Sequence, residues 1–159
     1  MKYFFISLSL LISLSSYTYA QENPHIYSTG TVLELDRCAS AWLIKRFVDK
    51  DAVFQFFPDG DFIKNGIPFD TPDSGLCRTH NMSTFAVIVE KYKISDKSVD
   101  KIGKYIHDIE INFWGKKRFQ ESLNVSREVN KIIRNSKNND ECLTRCFLYF
   151  DQLTKEIGE

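Results

Sequence analysis

The chain has 159 residues, 21 basic and 21 acidic side chains, a formal net charge of zero and 14% aromatic residues. That balance gives no electrostatic footprint for nucleic acid, the one basic cluster, Lys116, Lys117 and Arg118, being short and read as a solvated turn, and the length suits one domain with a real core. No run approaches the roughly 20 consecutive apolar residues that a bilayer-spanning helix needs.

The first twenty residues, MKYFFISLSLLISLSSYTYA, have one charge at Lys2, an apolar-rich stretch from Tyr3 to Leu14 and small residues at Thr18 and Ala20. This is the pattern of a secretory signal with cleavage expected after Ala20. The mature protein is then expected to be exported, periplasmic or secreted, without a stable membrane span. Residues 21–34 form a lead-in, and 35–155 the single domain.

His25 to Leu35 carries β-branched residues and predicts a strand. Asp36 then stands where an N-cap belongs, and DRCASAWLIKRFVD, Asp36 to Asp49, predicts the first helix. At 100° per residue, Arg46 falls between Trp42 and Ala39, and Arg37 falls between Ile44 and Val48. Both guanidiniums therefore emerge through apolar stripes. Since arginine stays charged, each head group must reach water, a carboxylate or a bound anion. An internal Arg/Asp ion pair and an anion site both satisfy that requirement.

Ala52 to Phe57 predicts a second strand, closed by the turn Pro58-Asp59-Gly60-Asp61. Gly66 to Asp70 is a short extended piece whose proline favours a sheet edge. Thr84 to Tyr92 begins the helical part of the chain. Asp96 to Ile111 follows with Val99, Ile102, Ile106 and Ile109 at helical period. Ser126 is the expected cap of SREVNKIIR, and Asp140 that of a last helix to about Lys155, with the polar linker NSKNND between them. The fold class is thus α+β and helix-rich, with four to five helices, a small sheet of two or three short strands, and one domain.

The four cysteines, Cys38, Cys77, Cys142 and Cys146, allow three disulfide pairings. Cys142 and Cys146 lie one helical turn apart beside Leu143, Phe147, Phe150 and Leu153. Their roles are small core residues, a soft-metal pair or a strained disulfide within the helix. No C-x-x-C is present, so a zinc ribbon is excluded.

The titratable groups concentrate mid-chain. His80 lies in a loop ten residues after Asp70, and His107 shares a helix strip with Gly103 and Glu110. The glycine leaves room where His107 would point. These histidines, with Asp70, Asp108 and Glu110, make an N/O ligand set for zinc or another divalent ion, although no compact motif such as H-E-x-x-H is present. A satisfied structural histidine is the alternative. No Walker loop or G-x-S-x-G occurs.

Asp36-Arg37, Ala41-Trp42-Leu43-Ile44, Arg46-Phe47, Asp49, Phe69-Asp70, His80, Thr84-Phe85, His107-Asp108, Asp151 and Leu153 together resemble the C-terminal domain of ChrB-type chromate-resistance proteins. The resemblance runs from roughly Leu35 to Leu153. It implies a role in chromate resistance or sensing, with Asp36, Arg37, Arg46, Asp70, His80 and His107 as the polar site. Glu110 stands where the family commonly has Asp, and Trp42 and Phe85 stand as packing residues. Asp36 and Asp70 are also internal partners for the arginines. Ala86 departs from the family, which commonly has Glu there, and an export signal replaces the regulator's N-terminal domain.

Three functions follow as expectations. The domain binds an oxyanion through Arg37 and Arg46, or a metal through Asp70, His80, His107 and Glu110, with Asp36 and Asp108 in support. It is a metal-dependent hydrolytic or redox enzyme using the same histidines, which the loss of the glutamate at position 86 weakens. Or it is a structural or partner-binding domain whose charges are internal ion pairs.

Overall fold

The computed structural model describes residues 25–158 apart from positions 73 and 113, so the expected signal sequence lies outside the described residues. Strand β1 (Ile26–Gly30) leads into helix α1 (Leu35–Leu43), which continues as a π-helical turn (Ile44–Val48). Strands β2 (Val53–Phe57) and β3 (Ile67–Pro68) follow, then helices α2 (Thr84–Tyr92), α3 (Lys97–Glu110), α4 (Gln120–Arg134) and α5 (Asn139–Gly158). Among the described residues the result is a helix-rich α+β domain with five helices and one three-stranded sheet, as the sequence predicts.

The sheet is parallel, in the order β2-β1-β3, with Tyr27 opposite both Phe54 and Ile67. Central β1 is buried from Tyr27 to Gly30, as a strand flanked on both sides and covered by helices must be. Pro68 is confined to the edge strand, where its missing N–H breaks no ladder. The chain leaves β2 at its carboxyl end on one side of β1 and re-enters at the amino end of β3 on the other, so strand order reverses beside β1.

Helix α1 is the axis of the helical layer. Every residue of it except Arg37 is buried, and it packs against α2, α3, α4 and α5. Trp42, 1% exposed, stacks on Phe85 at 6.4 Å between ring centroids and lies 5.4 Å from Phe150 and 5.6 Å, edge-on, from Phe47. Trp42 and Phe85 are therefore packing residues, as expected. Helix α3 turns Val99, Ile102, Tyr105 and Ile106 inward, and Asp96 caps it by accepting from the Ser98 and Val99 N–H groups, both at 2.9 Å.

Three expected caps are displaced. Asp36 is not the N-cap of α1: Glu34 occupies that position, and the Asp36 carboxylate caps α2 instead. Ser126 lies inside α4, whose start is anchored by Asp108 accepting from the Arg118 and Phe119 N–H groups. Asn138, and not Asp140, accepts from the Glu141 N–H at the start of α5. At α4 the donors beside the expected cap are satisfied by a carboxylate from another helix, whereas Asp36 is drawn away from its own helix to the N-terminus of α2.

Trp42 fills the space between α1, α2 and α5, so its truncation leaves a cavity. Trp42→Ala is expected to lower unfolding stability by about 3–5 kcal/mol in urea denaturation, the usual range for a large buried aromatic. A loss under about 1 kcal/mol would show that the aromatic cluster relaxes around the gap.

Candidate functional site

Asp36 and Arg37 are adjacent on the first turn of α1, and 100° of helical rotation sends them to different partners. Asp36, 3% exposed, accepts from the Thr84 N–H at 2.6 Å and the Phe85 N–H at 2.9 Å, the exposed donors of the first turn of α2. Ser83 completes that cap by accepting from the Ala86 N–H. An anion at a helix N-terminus is favourable, but this one is buried and has Asp70 and Glu110 near it. Burial first, then the charge of Asp70, pushes the Asp36 carboxyl up to about 7 against the two backbone donors.

Arg37 turns towards the sheet. Its Nε donates to Asp70 Oδ2 at 2.8 Å and one terminal nitrogen to the Asp70 carbonyl at 2.9 Å, while the other reaches the Val32 carbonyl and Asp59 Oδ1. Asp70 also accepts from the Thr84 hydroxyl at 2.6 Å, and its own N–H donates to the Leu76 carbonyl. These bonds hold Asp70 at a φ of 50°, a left-handed conformation that aspartate tolerates better than most residues. Asp59 accepts from Arg37, the Thr31 hydroxyl and the Val32 N–H. Burial works the other way, but these donors hold the Asp59 carboxyl below its ordinary range. Gly30 is required here, because a Cβ would sit 2.1 Å from Asp59 Oδ1 and 2.7 Å from the Arg37 guanidinium.

This cluster forms one wall of a crevice of about 330 Å3 at the carboxyl ends of all three strands. Phe57, Phe62, Ile63 and three prolines supply apolar surface, and Asp59, Asp61 and Asp70 bring three carboxylates against the single Arg37 cation. Thr29, fully buried on β1, also lines it, and among the described residues its hydroxyl has no hydrogen-bond partner. Ligands of open parallel sheets bind in this location, where strand order reverses.

The other predicted site residues are dispersed. Arg46 belongs to a separate ion pair: it grips Asp151 with two bonds of 2.9 and 2.7 Å, and Trp42 Nε1 donates to the same carboxylate at 2.9 Å. Glu110 is within electrostatic reach of Asp70 and is held by Arg78. Its burial, with Glu34 and Asp70 adding to it, raises its carboxyl despite that arginine. His80 is exposed on its turn. Asp108 is committed to the α3–α4 connection, where it accepts from Asn112, Arg118 and Phe119.

His107 lines a second cavity, of about 430 Å3, with Ala86, Gly103 and Phe119. The position at which the chain departs from the resemblance, Ala86, thus faces the same space as His107. Gly103 makes room for the Phe85 ring, whose edge would lie 3.3 Å from an added Cβ.

Among the described residues, three ligand atoms of histidine, cysteine or carboxylate come within 4.8 Å of one another at Cys38, Cys142 and Cys146, and Asp70, His80, His107 and Glu110 form no such group. Sequence reasoning missed Cys38 as their neighbour, and missed Asp59 and Thr84 as members of the Arg37–Asp70 network. The only signal was the Pro58-Asp59-Gly60-Asp61 turn, which reads as a turn and nothing more.

Fold and site together define a small α+β domain with an internally paired arginine at a strand-end crevice. The chain belongs to the ChrB C-terminal domain family: the family model described as ChrB, C-terminal domain matches residues 27–157. Membership links it to chromate resistance. Comparison with curated proteins and with solved structures gives no significant match. No helix among the described residues is long and apolar enough to cross a membrane.

The raised Asp36 carboxyl has a signed consequence. The folded state holds this proton more tightly than the unfolded chain, so its contribution to stability is full below pH 3.8 and is lost as pH rises to about 7. Asp36→Asn, neutral throughout, is expected to lack that slope. The measurement is the difference in urea midpoint between wild type and variant across this pH window, and a constant difference would mean that the carboxyl is ionised throughout.

Proposed function

We propose that the protein is a non-catalytic, exported domain of the chromate-resistance type that binds a hydrated divalent cation in the strand-end crevice. The observation that carries this reading is the charge balance around Arg37. Four hydrogen bonds engage its guanidinium with two carboxylates and two backbone carbonyls, and Asp61 adds a third carboxylate to the crevice wall. A dianion entering there would meet net negative charge and would have to displace Asp59 or Asp70 from the arginine. A cation meets the opposite field.

The carboxylates form no close ligand trio, which favours an ion that keeps its inner waters and is held through them. Arg46 is the wrong partner for an oxyanion for the same reason as Arg37: Asp151 already occupies its planar fork.

Equilibrium dialysis of the full chain against manganese, magnesium and chromate tests this reading. Saturable divalent-ion uptake is expected, weakened about 30-fold by Asp61→Asn, which corresponds to the ~2 kcal/mol between one unit charge and a divalent ion about 4 Å away in water. Stoichiometric chromate binding that Arg37→Lys abolishes would replace it with the oxyanion reading.

A further inference from the structure

Cys38 projects from the first turn of α1, and Cys142 and Cys146 project from successive turns of α5. The packing of these two helices brings the three sulfurs to within 4.8 Å of one another, with exposures of 0%, 2% and 0%. Cys77, the fourth thiol, stands apart on the 71–83 segment, near the Pro72 carbonyl. Small core residues have no reason to converge in this way, because dispersed cysteines fill space equally well. Three zinc–sulfur bonds of about 2.3 Å in a plane hold their sulfurs about 4 Å apart and larger soft ions hold them slightly further, so sulfurs within 4.8 Å of one another are compatible with three-sulfur coordination.

The charge at the cluster also suits an ion. Arg145, one residue before Cys146, is anchored to the Asn135 carbonyl and sits beside the Ser136 hydroxyl at the end of α4. Three thiolates around a divalent ion carry one net negative charge, and Arg145, which also pairs with Glu141 at 3.6 Å, is the cation on the adjacent position of the same helix.

We propose that Cys38, Cys142 and Cys146 form a three-sulfur site for a soft divalent cation of the cadmium or mercury type. Sulfur ligands select soft ions, and a trio without a fourth protein ligand suits such ions better than zinc, which takes four. The site is distinct from the acidic crevice, whose oxygen ligands select hard ions. Binding displaces the three thiol protons to solvent and leaves three metal–sulfur bonds, with no change of oxidation state.

The test is a titration of the full chain with cadmium under reductant, followed by the ultraviolet thiolate-to-metal band and by X-ray absorption. One cadmium per chain with three sulfur neighbours is expected, together with a denaturation midpoint raised by the metal. Cys142→Ser should lose more than the ~10-fold in affinity that removal of a supporting group costs. Cys77→Ser and Asp61→Asn should bind cadmium as wild type does, which separates this site from the crevice. A coordination shell of oxygen and nitrogen, fewer than three sulfurs, or undiminished binding by Cys142→Ser would overturn the proposal. The wild-type coordination number decides the matter even if a cysteine variant fails to fold.

Discussion

The junction at Asp36 and Arg37 ties the sheet to the helical layer. Asp36 accepts the first two N–H groups of α2, and Arg37 holds both the side chain and the backbone of Asp70 at the end of β3. Thr84 closes the loop, because its backbone N–H goes to Asp36 and its hydroxyl to Asp70. Three segments separated in sequence therefore meet through charge-assisted bonds in a mostly dry site. Each bond is modest alone, but loss of any partner leaves a buried charge uncompensated, which is where the large cost lies. The network also explains why an aspartate, and not a glycine, sits at positive φ after β3: the bonds at Asp70 hold the backbone turn in place.

This arrangement decides between the two meanings that a charged side chain on an apolar helix face can have. Arg37 and Arg46 both found carboxylates, but at different depths. Arg37 has 12% of its side chain exposed and meets partners from three segments, whereas the Arg46–Asp151 pair has 39% and 32% exposed and lies nearer water. Solvent screening makes the second pair a modest contributor on its own, and its value lies in orienting the Trp42 indole through the shared carboxylate. The first pair shapes a crevice and gives it a sign.

The order of elements was legible because it rests on local signals. The 3.6-residue period of α3 and the aspartate before it, the proline of the edge strand, and the start of α2 at Thr84 all act within a few residues. What escaped was set at long range. Asp36 looks like a cap for the helix it begins, yet its acceptors serve donors 48 and 49 residues away. The α4 start was placed too late because its anchor, Asp108, is ten residues upstream on another helix. The site followed the same division. Arg37 and Asp70 were recognisable as polar outliers, but the participation of Asp59, and the failure of the histidines to converge with Asp70, are properties of the tertiary fold.

Residues 36, 37 and 38 show how much one helical turn can carry. Successive side chains diverge by about 100°, so three consecutive residues reach three different neighbours. Asp36 meets the N-terminus of α2, Arg37 meets the ends of the strands, and Cys38 meets the thiols of α5. The first two contacts fix the rotation and depth of α1, since neither a buried carboxylate nor a four-bonded guanidinium tolerates a shift of even 1 Å. Once that orientation is set, the position of Cys38 against Cys142 and Cys146 has little freedom left. The geometry of the sulfur cluster is thus inherited from the polar junction: the charges that specify the packing of α1 also preorganise the softest atoms in the core.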